Sequence, residues 1–139
     1  MTQTLLLATN NPHKVEELRS IFLPYNIVLR TPAELGSEAD VLENGNSYYE
    51  NACLKARAYA GTSPYPVLAD DSGLEVEALQ GAPGIHSHRF LPNPDATSRE
   101  RCLYLLGCLR QFPRPWRAAF HCEVVLLTLQ GTVLTSHGI

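Results

Sequence analysis

The feature that most constrains this chain is a short apolar run that stops at two adjacent carboxylates. Residues 66–69 are typical of a buried strand, and Asp70 and Asp71 follow directly. Ser72-Gly73 then predicts a turn, because glycine adopts backbone angles that other residues avoid. The alternation of apolar and acidic residues over 74–78 predicts a second, half-exposed strand. We therefore expect both acids at the mouth of a buried strand.

Two carboxylates in that position repel each other and are costly to desolvate unless positive charge joins them. A hard cation such as Mg²⁺, which takes oxygen ligands, would supply this charge. The alternative is an ordinary polar turn, since Asp, Ser and Gly are common turn residues. The motif alone does not decide between a metal site at Asp70 and Asp71 and a turn.

The composition narrows the class of protein. With 139 residues, the chain has the size of one domain, residues 1–139, and is long enough for a hydrophobic core. The net charge of −3 argues against a nucleic-acid polymer as partner, which needs a basic surface, but allows a small phosphate ligand. No apolar run has the length of a membrane span and no signal peptide is evident, so we expect a cytoplasmic protein. The cysteines show no metal-binding spacing and are predicted to be small core residues: Cys53, Cys102, Cys108 and Cys122.

A strand followed by a helix is also predicted at the start of the chain. Residues 4–8 form a continuous apolar run, and Pro12 suits the first turn of a helix. A helix N-terminus offers free backbone N–H groups to an anion, and Lys14 adds a positive charge. An ordinary strand-to-helix connection is the alternative, because Walker-type glycines are missing. The candidate anion-binding residues are Thr9, Asn10, Asn11, Pro12, His13 and Lys14.

A second helix is predicted further on. Ser47 and Glu50 have the spacing of a capping box, and Gly61 is a suitable end. Asn51 and Lys55 lie one turn apart on this helix. Lys55 is either a solvated surface side chain or a phosphate ligand, and the spacing does not choose between them.

The second half of the chain contains fewer chemical signals. His86 and His88 would point the same way on a strand and could hold zinc, but the segment has no cysteine or carboxylate to complete the ligand set. Asp95 or Ser98 is predicted to cap a third helix. Its inward-facing residues are predicted to be Leu103, Leu106 and Leu109. From Arg117 onward, alternation and a Gln-Gly turn predict a β-hairpin.

Several of these stretches together resemble the inosine/xanthosine triphosphate pyrophosphatases, also called non-canonical purine NTP pyrophosphatases or Ham1-like proteins. The resemblance begins at Leu5 and continues to the end of the sequence. Several motifs in the same order are far more specific than any one of them. They are Ala8-Thr9-Asn10-Asn11-Pro12-His13-Lys14-Val15-Glu16-Glu17, Glu43-Asn44-Gly45 with Glu50-Asn51-Ala52 and Lys55-Ala56, Ala69-Asp70-Asp71-Ser72-Gly73-Leu74, Gly81-Ala82-Pro83-Gly84-Ile85 with Ser87 and Arg89, and Phe120-His121-Cys122.

This resemblance implies an α/β fold with a long, bent mixed sheet in two lobes, flanking helices and a nucleotide cleft between the lobes. Family members hydrolyse dITP, ITP and XTP to the monophosphate and pyrophosphate, need Mg²⁺ and are usually homodimers. Glu43 and Asp71 match the metal ligands, and Lys55 and Ser72 match residues that contact the triphosphate. Asp71 also matches the proposed proton acceptor, with Asp70 beside it, so both are candidate catalytic residues and either could accept the proton. The phosphate loop corresponds to Thr9, Asn10, Asn11, Pro12, His13 and Lys14.

The sequence departs from the family pattern in two respects. Asn10 stands where the family commonly has glycine, a mild change because Asn also accepts left-handed backbone angles. The family also continues beyond the position of Ile139, with a Phe-Gly-Tyr-Asp or Phe-Gly-Trp-Asp stretch, a lysine and a Ser-His-Arg stretch that contact base and phosphates. Ser136-His137-Gly138 is not that last motif, since it follows the hairpin directly. We therefore expect that the C-terminal part of the family domain is missing.

Three other functions stay open. A pyrophosphatase of the Maf type, which acts on modified pyrimidine nucleotides, has a related architecture. A catalytically impaired nucleotide-binding fragment would bind the triphosphate with Mg²⁺ without releasing pyrophosphate. A structural protein without a ligand would show the same melting temperature with and without Mg²⁺-nucleotide.

Overall fold

The computed structural model describes all residues from Met1 to Ile139, which form five strands and three α-helices. The strands and helices in chain order are β1 Gln3–Leu7, α1 Pro12–Phe22, β2 Ile27–Arg30, α2 Tyr48–Ala60, β3 Val67–Val76, α3 Ser98–Leu109, β4 Ala118–Leu127 and β5 Val133–Gly138. Short 3₁₀ turns lie at Leu23–Tyr25, Ala33–Leu35, Glu77–Leu79 and Gly84–Arg89. None of the helices is long and apolar enough to cross a membrane.

All five strands belong to one sheet with the order β2-β1-β3-β4-β5. β1 runs parallel to both of its neighbours, β2 and β3, and its Leu7 lies opposite Leu68. β4 and β5 are joined by a tight turn in which the Thr128 N–H donates to the Thr132 carbonyl oxygen at 2.9 Å. This is the predicted hairpin. The predicted α/β class with a mixed sheet and flanking helices is confirmed, while the bend of the sheet and the cleft stay predictions.

The chain divides into two compact units. One consists of Met1–Asp71 and Glu123–His137, and the other of Ser72–Cys122 and Gly138–Ile139. That residues 1–139 form one domain stays a prediction.

The first unit has a hydrophobic core on each face of its part of the sheet. Successive strand residues point to opposite faces, so a continuous apolar strand supplies both cores. On one face, α1 covers strand residues through Val15, Leu18 and Phe22. On the other face, α2 covers them through Ala52, Ala56 and Tyr59. Polar side chains of α1 and of α2 can therefore reach β3 only from opposite faces of the sheet.

The turn predicted at Ser72-Gly73 is wrong, because β3 runs through it from Val67 to Val76. Gly73 is needed there for another reason. A Cβ atom at this position would overlap the carbonyl oxygen of Gly84, and the neighbouring Ser87 hydroxyl accepts the Leu74 N–H at 3.0 Å. The glycine allows two backbone segments to approach each other closely.

The second unit differs from prediction at its 3₁₀ and helical segments. His86 and His88 lie in the 3₁₀ turn Gly84–Arg89 and not on a strand. Thr97 caps α3 through reciprocal hydrogen bonds with Glu100, so Asp95 and Ser98 are not the cap. Among the predicted inward leucines only Leu109 is buried, while Leu103 and Leu106 are exposed, and Cys102 is exposed as well. Periodicity identifies an apolar stripe, but whether another element covers it depends on distant parts of the chain.

Candidate active site

Asp70 and Asp71 lie where β3 continues past the end of β1. The last β1 residue, Leu7, pairs with Leu68, and the Ala8 N–H donates to the Leu68 carbonyl oxygen at 2.8 Å. Both aspartates are buried, with 7% and 5% of their surface exposed. In open α/β sheets, ligands bind at the carboxyl ends of the parallel strands, and the acids stand at this edge.

The two aspartates face opposite sides of the sheet because they are consecutive strand residues. Asp70 points to the side of α1, where Lys14 Nζ lies 2.6 Å from its Oδ2 atom. Asp71 points to the side of α2, where it contacts Asn51 and Lys55. Each of the two acids therefore has a lysine partner of its own, while the expected metal ion stays a prediction.

Lys55 links the two residues predicted to be metal ligands. Its Nζ atom lies 2.9 Å from Glu43 Oε1 and 3.5 Å from Asp71 Oδ1. The Lys55 side chain is only 13% exposed, so the interpretation of a solvated surface lysine is wrong. A buried carboxylate needs such a partner, because an unpaired buried charge is strongly destabilising.

The sequence did not assign a role to Asn51, although it placed this residue one turn from Lys55. Asn51 is 1% exposed, and its Nδ2 atom donates to Asp71 Oδ2 at 3.1 Å. Its Oδ1 atom accepts the Gly45 N–H at 2.8 Å.

The capping box predicted for α2 forms only in part: Ser47 accepts the Glu50 N–H, but the Glu50 carboxylate accepts the Asn46 N–H. The start of α2 thus holds the loop that carries Glu43.

The predicted phosphate loop begins α1 as expected, but part of its backbone is already bonded. Pro12 is the first helical residue, and Asn11 caps the helix by accepting the His13 N–H at 3.0 Å. The Thr9 hydroxyl accepts the Asn11 N–H at 3.2 Å. These two N–H groups are therefore not free in this structure, while binding of an anion by this loop stays a prediction. Lys14 is the positive group that α1 brings to the site.

A cavity of about 300 Å³ opens beside Glu43 and Lys55. A larger one of about 690 Å³ lies along α1 and shares Thr9 and Asn10 with it. The smaller cavity fits the predicted chemistry better, because two of the predicted charged residues line it. Its lining residues are Ala8, Thr9, Asn10, Ala39, Asp40, Val41, Glu43, Lys55 and Tyr59. Ser72 follows Asp71 in β3 and is half-buried.

The donor atoms suit a hard cation that is bound together with phosphate oxygens. No group of three or more His, Cys, Asp or Glu residues converges as a ready-made metal site, at His86 and His88 or elsewhere. Mg²⁺ is usually held by one or two carboxylates together with waters and substrate phosphates. Glu43 and Asp71, held on either side of Lys55, provide such a pair of carboxylates.

Fold and site together define an α/β protein with lysine–carboxylate pairs at the carboxyl edge of its parallel strands. A family model described as the Ham1 family matches residues 5–139. The chain therefore belongs to the Ham1 family.

Individual relatives agree with this assignment. A dITP/XTP pyrophosphatase of Yersinia pseudotuberculosis is 42% identical over 139 residues, which cover 98% of this chain and 70% of the relative. A dITP/XTP pyrophosphatase of Lactiplantibacillus plantarum is 37% identical over 137 residues, with 98% and 67% covered. The solved structure of a HAM1 protein from Coxiella burnetii matches with a TM-score of 0.84 at 34% identity, covering 99% of this chain and 70% of that one. The Ham1 protein of Staphylococcus aureus matches with a TM-score of 0.81 at 32% identity, covering 98% and 69%.

Proposed function

We propose that this protein hydrolyses the non-canonical purine nucleoside triphosphates dITP, ITP and XTP to the monophosphate and pyrophosphate. The proposal rests on family membership and on relatives named dITP/XTP pyrophosphatase. The observation that carries it is the pairing of Lys14 with Asp70 and of Lys55 with Glu43 and Asp71 at one strand edge. Removal of non-canonical triphosphates from the nucleotide pool would be the role of the reaction.

The proposed cofactor is Mg²⁺, held by Glu43 and Asp71. When bound with the triphosphate, it would neutralise charge and orient the phosphoryl groups. The support is the position of two carboxylates on either side of one ammonium group.

The lysines and the loop would bind the triphosphate. Lys14 and Lys55 exchange their carboxylate partners for phosphate oxygens, so the charges that stabilise the free protein also bind the substrate. Ser72 and the loop from Thr9 to His13 add polar contacts to the phosphates. The exchange requires little movement, because a lysine side chain rotates freely about its stem.

Asp71 is proposed as the proton acceptor for the attacking water. The water oxygen forms a bond to the α-phosphorus while the bond from that phosphorus to the bridging oxygen breaks, and pyrophosphate leaves. The proton of the water passes to the Asp71 carboxylate. Asp70 stands beside Asp71 on the other face of the strand, where it pairs with Lys14 as long as no triphosphate is bound.

A homodimer in the cytoplasm is proposed as the working form. Its support is the family resemblance alone. The proposal includes neither a nucleic-acid polymer nor a membrane as partner, in keeping with the net charge of −3.

Pyrophosphate release from a panel of triphosphates tests the proposed function. We expect dITP, ITP and XTP to be cleaved faster than dATP, dGTP and dCTP, and Asp71→Asn to abolish most turnover while the protein stays folded. Glu75→Gln is the matched control, because it neutralises an acid of the same strand outside the site. Preferred cleavage of modified pyrimidine triphosphates would favour the Maf-type activity. Nucleotide binding without release would favour the impaired binding protein.

A further inference from the structure

The Asn51 amide joins two parts of the site that are distant in sequence. It accepts the Gly45 N–H from the loop that carries Glu43, and it donates to the Asp71 carboxylate on β3. Both ends of the amide are in use, and the side chain is buried. Asn51 therefore connects the two carboxylates of the proposed metal site without being a ligand itself.

Only one orientation of this amide satisfies its neighbours. The Gly45 N–H can only donate and the ionised Asp71 carboxylate can only accept. A flipped amide would place its oxygen against the carboxylate and its NH₂ group against the N–H, leaving buried polar atoms unpaired. The orientation of the amide thus fixes where the Gly45 N–H group and the Asp71 carboxylate lie around it.

The loop is held at two consecutive residues. While Asn51 accepts from Gly45, the neighbouring Glu50 carboxylate accepts the Asn46 N–H at 2.7 Å. A Cβ atom at Gly45 would lie 2.7 Å from Glu50 Cβ and 2.8 Å from Asn51 Oδ1. Glycine is therefore required so that the loop can approach the first turn of α2. This approach leaves Glu43, two residues earlier, within reach of Lys55.

We propose that Asn51 is a positioning residue that sets the separation and orientation of Glu43 and Asp71, and thereby the metal requirement of the reaction. This inference rests on the proposed function. Groups that orient metal ligands affect metal affinity or activity about 10- to 100-fold when they are removed. Asn51 meets this description because it orients one carboxylate directly and the other through the loop.

Two variants test the inference in complementary ways. Asn51→Leu keeps the shape of the side chain and removes both hydrogen bonds. Gly45→Ala keeps Asn51 and forces the loop away from α2. Cys53→Ala is the matched control, because it removes packing from a buried position of the same helix and leaves both Asn51 and Gly45 in place.

The first readout is the Mg²⁺ concentration that gives half-maximal pyrophosphate release from dITP. The second is binding of Mn²⁺ in the presence of inorganic pyrophosphate, measured by electron paramagnetic resonance and independent of turnover. We expect both test variants to raise the half-saturating Mg²⁺ concentration, and to weaken Mn²⁺ binding, by at least about tenfold. Cys53→Ala should lower the melting temperature and change the metal requirement less than about twofold.

A folded Asn51→Leu variant with an unchanged metal requirement would overturn the inference, and so would wild-type protein that binds no Mn²⁺. If Asn51→Leu does not fold, Gly45→Ala decides by the same criteria. Wild-type protein that binds Mn²⁺ but releases no pyrophosphate from dITP would count against the proposed function only, because the Mn²⁺ comparison still tests Asn51.

Discussion

Lys55 has a structural role as well as the proposed role in substrate binding. Its ammonium group lies within salt-bridge distance of both Glu43 and Asp71. Removal of a solvated lysine, one of the two interpretations that the sequence allows, would hardly affect the free protein. The contact with buried Asp71 predicts a larger effect, because an uncompensated buried carboxylate destabilises the fold.

We therefore predict two effects of Lys55→Met. The free protein should lose about 1–3 kcal/mol of unfolding free energy, less than a fully buried ion pair would cost, because Asn51 still donates to Asp71. Triphosphate affinity should fall by about 1.5–3 kcal/mol, the size of a charge-assisted contact. Urea unfolding and nucleotide titration measure the two effects. Arg57→Met, which removes an exposed positive charge from the same helix, is the control and should change both quantities little. Unchanged stability of Lys55→Met would show that the pairing contributes nothing to the fold.

At the scale of single elements, the β4–β5 hairpin contains a pH-sensitive contact. The Thr135 hydroxyl donates to the Glu123 carboxylate, and His137 Nδ1 lies 2.8 Å from it. The hydrogen bond from Thr135, and then the one with His137, lower the pKa of Glu123 below its ordinary value of 4.5. A carboxyl group whose pKa is lower in the folded state stabilises the fold above its ordinary pKa. This stabilisation disappears as the pH falls through the folded-state pKa.

Replacing Glu123 should accordingly reduce the acid sensitivity of the fold. We expect Glu123→Gln to be less stable than wild type at neutral pH and to lose less stability between about pH 5 and pH 3. Urea unfolding across this range gives the difference. The exposed Glu17→Gln variant should follow the wild-type curve. Parallel curves for wild type and Glu123→Gln would contradict the assignment.

The elements that the sequence predicted well are those with local signals. Pro12 and Ser47 mark the starts of α1 and α2, and the apolar runs mark β1 and the first half of β3. The continuation of β3 was missed because Gly73 serves a contact with Gly84, which sequence proximity does not reveal. The exposure of α3 was missed for a similar reason, since no local signal reports what covers a helix.

The sequence predicted which residues belong to the candidate site better than it predicted which of them contact one another. The sequence identified Asp70, Asp71, Lys14 and Lys55, but it treated the aspartates as one pair. Their separation follows from strand alternation once β3 is known to continue beyond Asp70. Asn51 had no role in the prediction because its importance depends on the long-range contact with Asp71.

At the scale of the whole molecule, metal and triphosphate should bind cooperatively. In the free protein Lys55 pairs with both carboxylates proposed to hold the metal, Glu43 and Asp71, and these carboxylates in turn hold a lysine that a triphosphate would need. Binding of the metal to the carboxylates would free the ammonium group for the triphosphate, and binding of the triphosphate to the lysine would free the carboxylates for the metal. Binding of one should therefore favour binding of the second, and reciprocally.

We predict that Mg²⁺ and inorganic tripolyphosphate together raise the melting temperature by more than the sum of their separate effects. Thermal unfolding with each ligand alone and with both gives the comparison. Mg²⁺ also binds tripolyphosphate in solution, so Asp71→Asn is the necessary control. The excess should disappear in this variant if it arises in the site. An excess of the same size in Asp71→Asn would assign it to the complex in solution.

The placement of the two aspartates on opposite faces also determines how β3 aligns with its neighbours. The preceding residues, Val67, Leu68 and Ala69, are all apolar and buried, so burial alone would tolerate a shift by one position. A shift in one direction would place Ala69 opposite Lys14, and a shift in the other would bring Ser72 to Lys55 and Asn51. The first shift leaves Lys14 without a carboxylate, and the second takes the Asp71 carboxylate away from Lys55 and Asn51, so only the native strand register satisfies all of these contacts. The residues proposed to carry the chemistry thus also specify the alignment of the central strand.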